Sequence, residues 1–432
     1  MRLKRSALLL ALLVLAVLNF ALGGAVVPRS STVLLQGYWL AVLMILIVMG
    51  EVSTRISRRY RLVVWFLILH AVWLIVYLSD RESLVNLAAL AVSIAAAMFL
   101  LSALVRQVPY VLLERVLFLS ILACLVLSFP LSILLTSVGW PSAPDLYPWA
   151  AVLKGERMLL VSGRDVGHSP VVWLAGFVGV YAAAGAAGRA GHLRWRRGVW
   201  WALVLAAILV LLASRTRLGV VYSALIVVAW LCARGVIALR WAAIPLMALP
   251  LAILAVAVVQ PLQGATESVV RAAQEHASWV RLQASDNGQF SVMSGRELLT
   301  DRLLRRSLES PVWGLGDGDE LLQYGIDWKG NVARFGGADL ASESSFRMAV
   351  KYGWTYYFFL ALLLLVPMSR IIASGAKASS VVLFFWLLLI LTTWVANGGF
   401  ESYYTISGLF LVMVMLAHGY KMDSSETGRM AV

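Results

Sequence analysis

Long oily runs alternate with short polar breaks along the chain, and the runs share a common length. Apolar stretches of roughly 17–25 residues, wound as helices, match the hydrocarbon thickness of a bilayer. Twelve such runs are readable, near 6–27, 33–50, 62–79, 84–105, 116–137, 170–187, 198–213, 218–233, 241–259, 350–368, 379–397 and 402–419. None has the alternating pattern of about ten residues that a transmembrane β-barrel strand carries. The pattern predicts an all-α polytopic membrane protein of about twelve spans. Nine of them fall within 1–259, which includes an external loop near 138–169. A large external loop with short helices follows at 260–349, then three more spans over 350–419 and a cytoplasmic tail at 420–432.

Composition agrees: of 432 residues, 61% are hydrophobic and only 13% charged, about half the charged fraction of a soluble domain. The net charge of +14 would point to nucleic acid in a soluble chain, but its distribution gives a different account. With a cytoplasmic N-terminus, nineteen of the 36 Lys and Arg residues fall in inside segments. The short outer connections hold only Arg29, Arg81, Arg215 and Arg217. The remaining thirteen lie in the two long external segments, where the positive-inside rule has little force. Both termini are therefore expected in the cytoplasm, the partner of the surface is a lipid bilayer, and no nucleic-acid partner is expected. The start "MRLKRSALLLALLVLAVLNFALGGA" imitates a signal peptide, yet its apolar stretch exceeds the roughly 7–15 residues of a signal core, so it reads as a retained first span. Cys124 and Cys232 sit inside apolar runs without metal-ligand spacing, and no Walker loop or H-E-x-x-H is present.

Against this background "LLASRTRLGV" stands out. Arg215 and Arg217 occupy a tight external bend between two runs, half of the basic charge in the short outer connections. Long basic side chains can snorkel to headgroups; charge at a membrane edge is otherwise a mark of function, here the holding of something anionic. Arg296 opens a probable amphipathic stretch, "RELLTDRLLRRSLES". Guanidinium groups bind phosphate oxygens in pairs and stay charged at any working pH, so two of them over one pocket suit a diphosphate. A surface ion pair of Arg296 with Asp301 is the plainer alternative. The phrase "SPVWGLGDGD" stops that helix, since Pro311, Gly314, Gly316 and Gly318 cannot continue it. Its Asp317 and Asp319 are either solvated loop carboxylates or ligands for a cation or sugar hydroxyls. In "DLASESSFRMAVKYGW", Glu343, Arg347 and Lys351 follow one another at i, i+4, which on a helix gives one face. They read as a stabilising ion-pair ladder or as a carboxylate base flanked by cations. The stretches "SVVRAAQEHASWVRLQ" and "RELLTDRLLRRSLES" have helical spacing, so a small helical cap is expected over 260–349. External tryptophans, Trp313 among them, suit sugar stacking or an interfacial belt equally.

The order of these pieces resembles one superfamily. It runs from a Ser-Arg turn between spans to a long external loop with S-G-R, then P-x-x-G-x-G and a polar motif before "YGW". This is similar to the O-antigen ligase and Wzy-type polysaccharide polymerase group, over roughly Ala202 to Leu365. The resemblance implies a GT-C-like membrane glycosyltransferase at the periplasmic face of a bacterial inner membrane. It would use undecaprenyl-diphosphate-linked glycans as donor and acceptor, with no nucleotide sugar and no metal. A flippase and a chain-length regulator would be its partners. The family's phosphate-binding arginines fall on Arg215 and Arg296, with Arg217, Arg347, Lys351, Asp317 and Asp319 as further substrate-binding candidates. Ligases carry a His-Asn pair eleven residues before the glycine opening the next span; here that position is Ser342, followed by Glu343. The departure favours a repeat-unit polymerase, inverting, with Glu343 as base; in general likeness and length the chain resembles an exopolysaccharide polymerase of the xanthan type. A ligase and a polysaccharide flippase or transporter are the rivals.

Overall fold

The computed structural model describes residues 2–19, 32–52, 61–76, 81–137, 170–188, 193, 195–213, 217–258, 283–284, 290–291, 306–315, 325–326, 332–333, 346–373 and 378–397. The helices in chain order are α1 (Arg2–Leu18), α2 (Thr32–Val48), α3 (Arg61–Val76), α4 (Arg81–Gln107), α5 (Tyr110–Ser137) and α6 (Pro170–Ala186). They continue as α7 (Arg197–Ala213), α8 (Arg217–Arg234), α9 (Leu239–Val258), α10 (Phe346–Ala373) and α11 (Ala378–Asn397). Each coincides with one of the apolar runs; the run at 402–419 lies outside the described residues. Among the described residues, Leu112–Leu131 is long and apolar enough to cross a membrane, and shorter apolar stretches of 10–17 residues, such as Val171–Ala186 and Leu218–Arg234, lie in other helices.

The segment between α9 and α10 departs from the expected all-helical cap. Gln283–Ala284 (β1) pairs antiparallel with Phe290–Ser291 (β2), and Gly325–Ile326 (β3) with Val332–Ala333 (β4). Gln283 closes the stretch "SVVRAAQEHASWVRLQ", so helix cannot run to its end. The physical reason is the chain beyond it: "ASDNG" supplies Asp286, Asn287 and Gly288, residues that favour a turn over continued helix.

Helix α6 is the central column. Every residue from Val171 to Ala186 is buried, and the helix packs against α5, α7, α8 and α11. Its sequence, PVVWLAGFVGVYAAAGA, is apolar on all sides, the signature of a helix surrounded by others. Its glycines set how close the neighbours come. A Cβ added at Gly185 would lie 2.7 Å from Trp200 Cε2 of α7, and one at Gly176 would lie 2.7 Å from Tyr222 Cδ2 of α8. Two buried polar tips are tied to backbone across helices. Tyr222 Oη donates to the Leu389 carbonyl (3.0 Å), and Trp386 Nε1 donates to the Phe177 carbonyl (3.0 Å). These bonds fasten α8 and α6 to α11, itself buried from Ser380 to Thr392.

The helix ends sort into two groups. At one end Glu51, beyond α2, accepts hydrogen bonds from Gln107 Nε2 (2.6 Å) and Arg106 Nη2 (3.2 Å) at the end of α4. The N-terminal part of α5 reaches the same end, where Phe118 stacks on Tyr181 of α6 with ring centroids 4.1 Å apart. At the opposite end α3 finishes and α10 begins, with Trp73 against Tyr352. Because α6 and α8 run parallel, Gly176 beside Tyr222 and Gly179 beside Ile226, α8 also begins at this second end.

The outward faces are oily. Leu40, Met44 and Ile47 of α2 are each about half exposed, as are Leu205, Leu209 and Leu212 of α7. Both triplets have i, i+4, i+7 spacing, so each is one continuous apolar stripe. We expect Gly185→Ala to cost about 1–3 kcal/mol through overpacking against Trp200. Gly198→Ala, at a site with nothing within 4 Å of the added carbon, should leave stability unchanged or raise it slightly. Thermal unfolding of the two purified variants in the same detergent checks the contrast.

Candidate functional site: a broken helix and the strap that completes it

Helix α10 is two pieces. At Gly353 the backbone takes φ 83°, ψ 166°, a conformation essentially reserved for glycine. A short turn, 346–352, precedes the break, and a longer helix, 354–373, follows it. A break costs hydrogen bonds: carbonyls before it and amides after it lose their i, i+4 partners. The segment 306–315 takes up both kinds. Leu315 N donates to the Val350 carbonyl (2.7 Å), and Trp354 N donates to the Pro311 carbonyl (2.6 Å). The strap therefore grips the helix on either side of Gly353.

The sequence of the strap explains how it comes so near. Pro311 ends the preceding turn and offers only its carbonyl. Gly314 has φ 76°, which turns the chain while its amide closes on the Ser310 carbonyl (2.9 Å). Opposite it, Gly353 has no side chain: an added Cβ would fall inside contact distance of the Val312 carbonyl and 2.9 Å from Gly314 N. Side chains add three further ties. Trp354 Nε1 donates to Ser307 Oγ (3.1 Å), whose residue is fully buried. Trp73 Nε1, from α3, donates to the Trp313 carbonyl (3.2 Å). The Trp73 ring meets Tyr352 edge-on, with centroids 6.2 Å apart. On the strap's outer side Arg306 Nη1 bonds both oxygens of Glu309 (3.0 and 2.7 Å), an exposed pair that stiffens one turn but contributes little stability.

The strap thus brings together two pieces that the sequence keeps apart, the "PVWGLG" turn and the "KYGW" start of α10. Of the expected site residues, Arg347 and Lys351 lie on the turn before the break, one helical turn from each other. Arg217 is the first residue of α8, at the same end of the bundle. The remaining candidates, Arg215, Arg296, Asp317, Asp319 and Glu343, lie outside the described residues, as do Ser342 and Asp301. Asp317 follows the last strap residue, Leu315, by two positions, and Glu343 precedes Phe346 by three. Arg347 and Lys351 stand four residues apart on this helical turn, which is interrupted two residues later at Gly353; the third member of the expected ladder, Glu343, lies outside the described residues. Among the described residues no three His, Cys, Asp or Glu side chains gather as a metal site would require.

Two contributors, Ser307 and Trp73, were not singled out from sequence, and a third, Gly353, entered only as the glycine opening the span after the polar motif. Gly353 had a local signal, a glycine inside an apolar helical run. Ser307 had a weak one, a small polar residue on the apolar side of its stretch. Trp73 had none, since within "LHAVWLIVYL" it reads as one more apolar residue. No protein-family model matches the chain, and a search of characterised proteins found no relative.

Gly353→Ala is expected to lift the strap. The backbone conformation alone costs an alanine about 1–3 kcal/mol, and the methyl group meets main chain that cannot swing aside. Limited proteolysis should then cut within 306–315 in the variant under conditions that spare the parent protein.

Proposed function

We propose that the chain is a polytopic membrane glycosyltransferase of about twelve spans that joins lipid-diphosphate-linked oligosaccharide repeats into a polymer at the periplasmic face of a bacterial inner membrane. The observation that carries the reading is the convergence at one end of an apolar bundle. The "PVWGLG" strap clasps the start of α10 there, next to Arg347 and Lys351, and α8 begins there with Arg217. Apolar stripes on the outer faces of α2 and α7 support the membrane setting, because water-exposed surfaces rarely carry contiguous oily patches of that extent.

On this reading Arg215 and Arg296, with Arg217, hold the donor diphosphate and stabilise its oxygens as the glycosidic C–O bond breaks, an electrostatic role. Glu343 accepts the proton of the acceptor hydroxyl as its oxygen bonds to the anomeric carbon. The configuration inverts because a single displacement takes place. Undecaprenyl diphosphate leaves intact, and cleavage of the glycosyl–phosphate bond supplies the driving force, so no nucleotide is consumed. Arg347 and Lys351 add positive charge, while Asp317 and Asp319 accept hydrogen bonds from sugar hydroxyls. The serine at position 342, where ligases have histidine, supports repeat-unit polymerisation over transfer of a finished glycan.

Complementing a deletion strain with Arg215→Ala or Glu343→Gln should leave single repeat units on the lipid carrier and no polymer, read by mass spectrometry of the lipid-linked glycans. Full-length polymer stranded on the carrier would make the protein a ligase. Repeats trapped on the cytoplasmic leaflet would make it a flippase.

A further inference from the structure

We infer that Trp73, on a helix more than two hundred residues away in sequence, is the positioning residue that fixes the strap against the broken start of α10. The inference rests on the reading of this end of the bundle as the glycosyl-transfer site. Trp73 is fully buried, and its indole does two separate things. The N–H holds the Trp313 carbonyl at 3.2 Å, in the middle of the strap. The ring edge packs on Tyr352, the residue before the break.

The strap's own bonds to α10 lie on either side of this point. Pro311 accepts from Trp354, and Leu315 donates to Val350. Between them the Val312 carbonyl lies against Gly353, in the space a side chain there would fill. The next carbonyl, that of Trp313, needs a donor of its own. Trp73 provides it and, through Tyr352, ties that donor to the helix being strapped. Two segments leave this junction toward candidate site residues: the chain after Leu315 runs to Asp317 and Asp319, and the turn before Tyr352 carries Lys351 and Arg347. The junction from which both segments depart is therefore held by a third helix, α3. A positioning role of this kind affects turnover more than substrate affinity, because sub-ångström misplacement weakens transition-state contacts first.

The test compares Trp73→Phe, which keeps a ring against Tyr352 and removes the N–H donor, with Trp313→Ala, which removes an outward side chain and keeps the acceptor carbonyl. The first measurement is hydrogen–deuterium exchange of the full-length proteins in detergent, over peptides containing Leu315 and Trp354. Loss of one such bond should speed exchange of these two amides roughly fivefold in Trp73→Phe, with Trp313→Ala close to the parent. Equal acceleration in both variants, or none in Trp73→Phe, overturns the inference. The second measurement is polymer formation in proteoliposomes supplied with lipid-linked repeat units. Trp73→Phe should lower kcat at least threefold with KM for the repeat unit within a factor of two, and Trp73→His, which restores a ring N–H, should recover part of the loss. A rise in KM with kcat unchanged would assign Trp73 to binding and overturn the positioning role. If the parent protein forms no polymer, the failure belongs to the functional reading, and the exchange result still decides whether Trp73 holds the strap.

Discussion

A helix that breaks must hand its unpaired backbone groups to some other partner, because amides and carbonyls are costly to bury unpaired. The end of the bundle that begins α10 is organised around this constraint. Gly353 makes the break, the strap 306–315 meets the hydrogen-bonding demand that the break creates, and Trp73 meets the demand the strap creates in turn. Each step follows from the one before. Without the break the strap would find no free Val350 carbonyl to bond. Without the strap, the break would leave buried polar groups unsatisfied, at about 1–3 kcal/mol for each one.

The strap can be held in one place only because the bundle beneath it is rigid. Helix α6 provides that rigidity. Its glycines let α7 and α8 approach until Trp200 and Tyr222 lie directly on its backbone, and close-packed contact of this kind has no slack to absorb movement. Phe118, Tyr181, Trp195 and Trp200 interlock at the end away from the strap. The Glu51, Arg106 and Gln107 bonds fix α2 to α4 at that end too. One end of the molecule is thus closed by side-chain packing, while at the other the main chain is opened and rejoined. Departures from regular helix are tolerable where a neighbouring segment can repair them, which is why the break and the positively charged helix starts of α8 and α10 share an end.

The helices were legible because burial in an oily setting writes itself as uninterrupted apolar runs. The run at 198–213 and the observed α7, Arg197–Ala213, differ by a single residue. What the runs do not encode is which helix is central. The sequence of α6 is apolar all round, but so is that of α2, and only the glycines at 176, 179 and 185 mark α6 as the closely packed one. Apolar spacing outlined a helix over 268–283, but its last residue, Gln283, begins β1, and the turn residues immediately after it carried the signal for that end. At the site, "PVWGLG" and "KYGW" were each visible as short motifs, and their mutual contact was not. Proline and glycine announce themselves locally, whereas Trp73 acts through a partner 240 residues along the chain.

A polymerising transferase has two demands that pull in opposite directions. Its lipid-borne substrates must enter sideways from an apolar phase, which calls for an oily exterior, while the reacting diphosphate needs fixed positive charge in a place that water screens weakly. On the proposed reading, helix starts at the end of an apolar bundle serve both: Arg217, Arg347 and Lys351 stand at backbone positions set by α8 and by the turn before Gly353, and charge attracts phosphate oxygens more strongly where water screens it less. A continuous α10 would carry its basic residues on a helix axis set by packing alone. Broken at Gly353 and strapped from α3, its first turn is aimed independently of the span that follows. That freedom to aim a short charged turn, held firm by main-chain bonds, is what the break gains for the proposed chemistry.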